Sequence, residues 1–211
     1  MKTTLFVSAL FASVALALSI FFWSQVPDPM PIHWNGSGEA DGFASRTFGL
    51  LFCPALAIGL PALVCLLALL DPRARKQQAW TSILIGVSAY VVVVHGLIIR
   101  AALAPDHKLS IRALAAALAC LFGLIGFVLP LIKPNRVAGI RTPWTLADER
   151  NWILTHRFGG WTVRIAAAVS VGSAFVVPEG AVLWIVLATT VVGFVAPVVF
   201  SWALHKAHPL S

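Results

Sequence analysis

The sequence predicts an all-α polytopic membrane protein: six transmembrane helices, a structured outer loop and a short cytoplasmic helix. Three observations lead there. First, 59% of the 211 residues are hydrophobic and 11% are charged, and the mean hydropathy is +0.90. A soluble domain carries about a quarter charged residues. Second, the apolar residues fall into runs at 5–23, 48–70, 80–103, 109–132, 161–178 and 181–204, each near the roughly 20 residues that cross a hydrocarbon core as a helix. Third, the cations divide unevenly. With the N-terminus inside, 11 Lys and Arg fall on the cytoplasmic side (Lys2, Arg73, Arg75, Lys76, Lys133, Arg136, Arg141, Arg150, Arg157, Arg164, Lys206) and 4 outside (Arg46, Arg100, Lys108, Arg112). That asymmetry sets the expected orientation, with both termini cytoplasmic. Residues 1–211 are treated as a single membrane unit.

The first run competes with a signal peptide, because Lys2 precedes it and Ala15-Leu16-Ala17 resembles a cleavage site. The apolar character continues through Ile20-Phe21-Phe22-Trp23, which favours a retained helix. Residues 24–47 then form an extracytoplasmic loop rich in Pro and Gly. Alternating Pro27, Pro29 and Pro31 predict a polyproline-like arm, and Asn35-Gly36, Gly38 and Asp41-Gly42 predict tight turns. A recognition reading has Pro31, His33, Trp34, Asn35, Gly38 and Asp41 shape and furnish a surface for a peptide or lipid headgroup. The alternative has Trp34 anchoring at the membrane interface while His33 and Asp41 bond loop backbone. One His and one Asp are a poor ligand set, so no metal is expected.

Residues 133–160 form the second polar segment. Pro134 and Pro143 favour extended backbone at the residues before them, and Gly139 permits a conformation other residues resist. Thr145 as N-cap, with Asp148 and Glu149 in the first turn, predicts a short helix ended by Gly159-Gly160. Asp148, Trp152 and His156 recur every four residues and share one face. His156 with Asp148 has the composition of a base and its orienter. Yet no nucleophile setting, HExxH motif or glycine-rich phosphate loop accompanies them, so no catalytic residue or cofactor is assigned. Ion pairing of Arg141 and Arg157 with Asp148 and Glu149, docking the helix on the bundle, is the simpler expectation.

Within the spans, His95 is an ionisable group at membrane depth and a candidate functional residue, or else a neutral ring bonded to Ser88 or a neighbouring helix. Arg100 lies close enough to a span end to snorkel. Cys53, Cys65 and Cys120 form no close pair and read as small buried hydrophobes. The formal charge of +7 fits basic loops facing anionic membrane lipids, with no motif for direct nucleic-acid binding.

Two motifs carry a resemblance. Pro29-x-Pro31-x-His33-Trp34-Asn35 with Gly38 and Asp41-Gly42 resembles the DUF1648 module that opens many proteins of the SdpI family. Asn135, Gly139-Ile140-Arg141-Thr142-Pro143 and Trp152 with Thr155-His156-Arg157 resemble that family's signature segment. The resemblance implies a protein of the bacterial cytoplasmic membrane acting in immunity or signalling. Its expected partners are an extracellular toxic peptide and a cytoplasmic transcriptional repressor. A small-molecule transporter using His95 and a membrane-embedded enzyme using His156 and Asp148 are the competing classes.

Overall fold

A computed structural model describes residues 1–75 and 79–207; Lys76, counted above among the cytoplasmic cations, lies outside them. The helices are α1 (Lys2–Phe22), α2 (Arg46–Ala68), a short α3 (Pro72–Arg75), α4 (Ala79–Leu103), α5 (Ile111–Val128), α6 (Pro143–Ala147), α7 (Glu149–Val176) and α8 (Glu179–Ala207). Six of them, α1, α2, α4, α5, α7 and α8, are long and apolar enough to cross a membrane. A helix satisfies its backbone internally, which lipid requires of a spanning segment. Large apolar side chains such as Phe6, Phe175 and Trp184 are correspondingly exposed on the bundle's outside. The chain is a multi-pass, helical membrane protein.

The first loop corrects one expectation. Residues 24–47 do not form a polyproline-like arm but an antiparallel hairpin, β1 (Met30–Trp34) with β2 (Ala40–Ala44). Pro31 faces Phe43 across the pair. In a sheet of two strands each strand is an edge, so a residue without an N–H costs no interior ladder bond.

The fifth span corrects another. The helix predicted to stop at Gly159-Gly160 continues to Val176, so most of the expected separate helix is the first three turns of α7. The short helix that precedes it is α6, capped by Thr142 rather than Thr145. Gly159 and Gly160 serve packing. A Cβ on Gly160 would lie 2.6 Å from Pro130 Cγ and 2.8 Å from the Gly126 carbonyl of α5. Small residues at a membrane helix crossing allow this approach. At the other end of α7, Arg112 of α5 donates through Nη2 to Val177 O (2.9 Å) and through Nη1 to Ala174 O. A cation there complements the negative helix terminus.

On the other side of the bundle, α1 buries Thr4, Ser8, Ala15 and Ser19. Ser88 of α4 bonds Ser8 Oγ (2.9 Å) and Ala57 O (2.8 Å). His95 Nε2 lies 2.9 Å from Ser19 Oγ, which also donates to Leu50 O at 2.6 Å. The partner of His95 is therefore Ser19 of α1, not Ser88. The completely buried imidazole ties α4 to α1 and, through Ser19, to α2.

Candidate functional site

The hairpin is held from below and open above. Met30 is fully buried in a cluster with Val26, Leu50, Ile99 and Ala102, and Pro31 beside it is also buried. Trp34 Nε1 donates to His107 O at 2.7 Å, and Leu109 N donates to Gly38 O at 2.9 Å. Both bonds seat the hairpin on the loop between α4 and α5. Gly38 adopts φ +78°, and a Cβ there would run into Leu109 O. Asn35 spends its side chain on the turn: Oδ1 accepts from Ser37 N (2.9 Å) and Glu39 N (3.1 Å), and Nδ2 donates to Glu39 Oε2 (3.0 Å).

Four of the six predicted recognition residues thus build or seat the hairpin. The remaining two meet on its outward face, where His33 Nδ1 lies 2.5 Å from Asp41 Oδ1 and the side chains are 72% and 45% exposed. A polar side-chain pair this exposed to water stabilises a fold by about 0–1 kcal/mol, so folding alone gives little reason for it. With Nδ1 committed to Asp41, Nε2 is the ring nitrogen left for other contacts. No group of three His, Cys, Asp or Glu suited to a metal occurs among the described residues.

The second polar segment is a closed lock at the opposite end of the bundle. Trp152 is fully buried and donates from Nε1 to Ile132 O at 2.7 Å. It belongs to the core cluster of Cys65, Ala68, Leu84, Val128, Leu129 and Ile132, contributed by α2, α4, α5 and the turn after α5. His156 stacks on it with ring centroids 4.1 Å apart and planes at 16°. His156 Nδ1 lies 2.8 Å from Trp152 O, and Ile140 N donates to Nε2 at 3.0 Å. A carbonyl oxygen can only accept and an amide N–H can only donate, which assigns one neutral tautomer with the proton on Nδ1. Gly139, at φ +117°, passes over the stacked rings: a Cβ there would lie 2.5 Å from Nε2 and 3.0 Å from Trp152 Cζ2.

The loop leading to this stack is braced from within. Asn135 is buried, donates from Nδ2 to Lys133 O (2.9 Å) and Ala138 O (3.0 Å), and accepts at Oδ1 from Val137 N and Ala138 N, both at 2.8 Å. Thr142 caps α6, and Thr145 Oγ1 reaches back to accept from Thr142 N at 2.8 Å. Pro143 occupies the first turn of α6, where a missing N–H is no loss. Thr142 Oγ1 lies 3.1 Å from Ser201 Oγ of α8, which bonds Asn151 Oδ1 at 2.9 Å; Asn151 Nδ2 donates to Ser201 O at 2.9 Å. Asn151 and Ser201 were missed in the sequence, although for Ser201 a polar side chain within an apolar run was an available signal.

One expectation for this segment fails. Among the described residues no ion pair joins Arg141 or Arg157 to Asp148 or Glu149. Instead Arg141 Nη1 donates to Arg136 O, Asp148 caps α7 by accepting from Arg150 N at 2.8 Å, and Arg157 is exposed. His156 also lacks the chemistry of a base, because both ring nitrogens are bonded and the side chain is 1% exposed. The loop is tied instead to the α2–α3 corner, where Arg136 N donates to Asp71 Oδ2 at 2.7 Å. That bond, with those from the Arg73 and Ala74 amides, holds the Asp71 carboxyl below the usual carboxylate range.

Residues 131–201, which contain the lock, match the SdpI/YfhL protein family. Residues 10–58, which contain the hairpin, match a domain of unknown function, DUF1648. The chain is thus similar to the SdpI/YfhL family over its second polar segment. Over 202 residues it is 22% identical to the immunity protein SdpI of Bacillus subtilis (strain 168), covering 95% of each chain. The similarity therefore spans both motifs and all six spanning helices. No solved structure matches.

Proposed function

We propose that this SdpI-like protein protects a bacterium against an extracellular toxic peptide, without catalysing a reaction, and that its hairpin is the surface that meets the peptide. The observation that carries this reading is the His33–Asp41 pair, exposed on an otherwise anchored hairpin, in a chain similar end to end to an immunity protein. An imidazole and a carboxylate displayed side by side on an exposed face suit the polar groups of a peptide. The hairpin then lies outside the cytoplasmic membrane and the termini inside, the arrangement that the cation asymmetry favours. The buried segment around Trp152 and His156 acts as the lock that keeps the six helices in one arrangement.

Deleting the gene from its own bacterium should lower the peptide concentration that stops growth in supernatants of competing strains. The wild-type gene should restore resistance. A H33A/D41A double variant present in the membrane at equal amount should remain about tenfold more sensitive, because one charge-assisted hydrogen bond contributes about 1.5 kcal/mol and 1.4 kcal/mol is a factor of ten. Unchanged sensitivity on deletion, or full protection by the double variant, contradicts the proposal.

A further inference from the structure

A pocket of about 900 Å³ opens beside the lock, at the end of α2, between the α2–α3 corner and the loop that leads to α6. Its walls have two characters. One is apolar: Leu67, Leu70 and Leu146, which are 45%, 81% and 49% exposed. Leu67 lies in the last turn of a membrane span, so this wall sits where acyl chains give way to headgroups. The other is cationic, with Arg73, Arg136 and Arg141 set against the single carboxylate of Asp71.

That carboxylate is already engaged, since Oδ2 accepts from Arg136 N and Oδ1 from Arg73 N. The same bond fixes the backbone of Arg136 at the pocket wall. Arg141 is oriented by one bond, Nη1 to Arg136 O. A guanidinium has five N–H donors in a planar fork, so most of those on Arg141 remain for an anion, and Arg136 is exposed beside it. A soluble anion would need only the cations. The exposed leucine wall, contiguous with the end of a span, matches a ligand that is anionic at one end and hydrocarbon at the other.

We propose that this pocket binds the headgroup of an anionic phospholipid, with its phosphate on Arg136 and Arg141 and its acyl chains along Leu67 and Leu70. Bound there, the lipid bridges the α2–α3 corner and the loop over Trp152, and so fastens the lock to the membrane.

The test is native mass spectrometry of the full chain, purified in detergent and offered equal amounts of phosphatidylglycerol and phosphatidylcholine. The wild type should retain phosphatidylglycerol selectively. R136Q/R141Q should hold it about twenty-fivefold less tightly, at about fivefold per cation near an anionic headgroup. R136Q alone, which leaves both backbone bonds of that residue in place, should lose about fivefold and serves if the double variant does not fold. R157Q, at an exposed arginine outside the pocket, should bind as wild type. Equal retention of both lipids, or undiminished phosphatidylglycerol binding in R136Q, overturns the proposal. Displacement of the lipid by millimolar glycerol 3-phosphate overturns it too, by making the pocket a soluble-phosphate site.

Discussion

Replacing Trp152 by alanine should lower the stability of the folded bundle by about 3–5 kcal/mol, the cost of emptying a large buried aromatic site. Trp152 stands in one cluster with residues of α2, α4 and α5, so the cavity would lie where those helices meet. Its indole N–H also satisfies Ile132 O, and removing it leaves that carbonyl without its partner. W152F separates the two contributions. It retains most of the ring packing but loses the hydrogen bond, and should cost about 1–3 kcal/mol. Unfolding in mixed detergent, followed by far-ultraviolet circular dichroism, should rank wild type above W152F and W152F above W152A. Equal midpoints for wild type and W152A would show that this end of the bundle is not held by the Trp152 stack.

Changing Gly139 to alanine should be almost as damaging, for a different reason. The residue sits at φ +117°, where an L side chain is strained by about 1–3 kcal/mol. The new methyl would also point at His156 Nε2, 2.5 Å away, the atom that accepts from Ile140 N. The loop must lift, and a buried hydrogen bond is lost with it, adding about 1–3 kcal/mol. A total of roughly 2–6 kcal/mol is expected by the same unfolding measurement, together with faster proteolysis between residues 133 and 142. Gly36→Ala is the control: a Cβ there meets only Leu183 Cδ2, at 3.6 Å, and the variant should unfold as wild type. If Gly139→Ala matched that control, the passage of the loop over the two rings would not be under constraint.

The spans were legible in the sequence because hydropathy reports the environment of a whole helix, and lipid leaves the backbone few other choices. What failed was reading the punctuation. Gly159-Gly160 has the composition of a helix end in soluble proteins, whereas here it lets α7 approach Gly126 of α5. Thr142-Pro143 carried the true start of α6, an N-cap followed by proline at the first position, and the chemistry was visible in the sequence. The hairpin was hidden by its prolines, which are poor strand formers except at an edge. Cross-helix partners were illegible for a deeper reason. Ser19 is 76 residues from His95, and no local spacing reveals which helix faces which. Of the candidate residues, His33 and Asp41 were found as a pair because they lie directly across a turn. Asn35 and Gly38 were found for their turn chemistry, while Asn151 and Ser201, 50 residues apart, were not.

The account depends on the hairpin and the lock lying on opposite sides of the bilayer. A membrane-impermeant maleimide applied to intact cells measures this directly, using Ser37→Cys on the hairpin and Ala147→Cys at the end of α6 in a chain freed of its three native cysteines. Labelling of position 37 in intact cells, with position 147 labelled only after the membrane is opened, is the predicted result. Labelling of both positions from outside, or of neither, would contradict it.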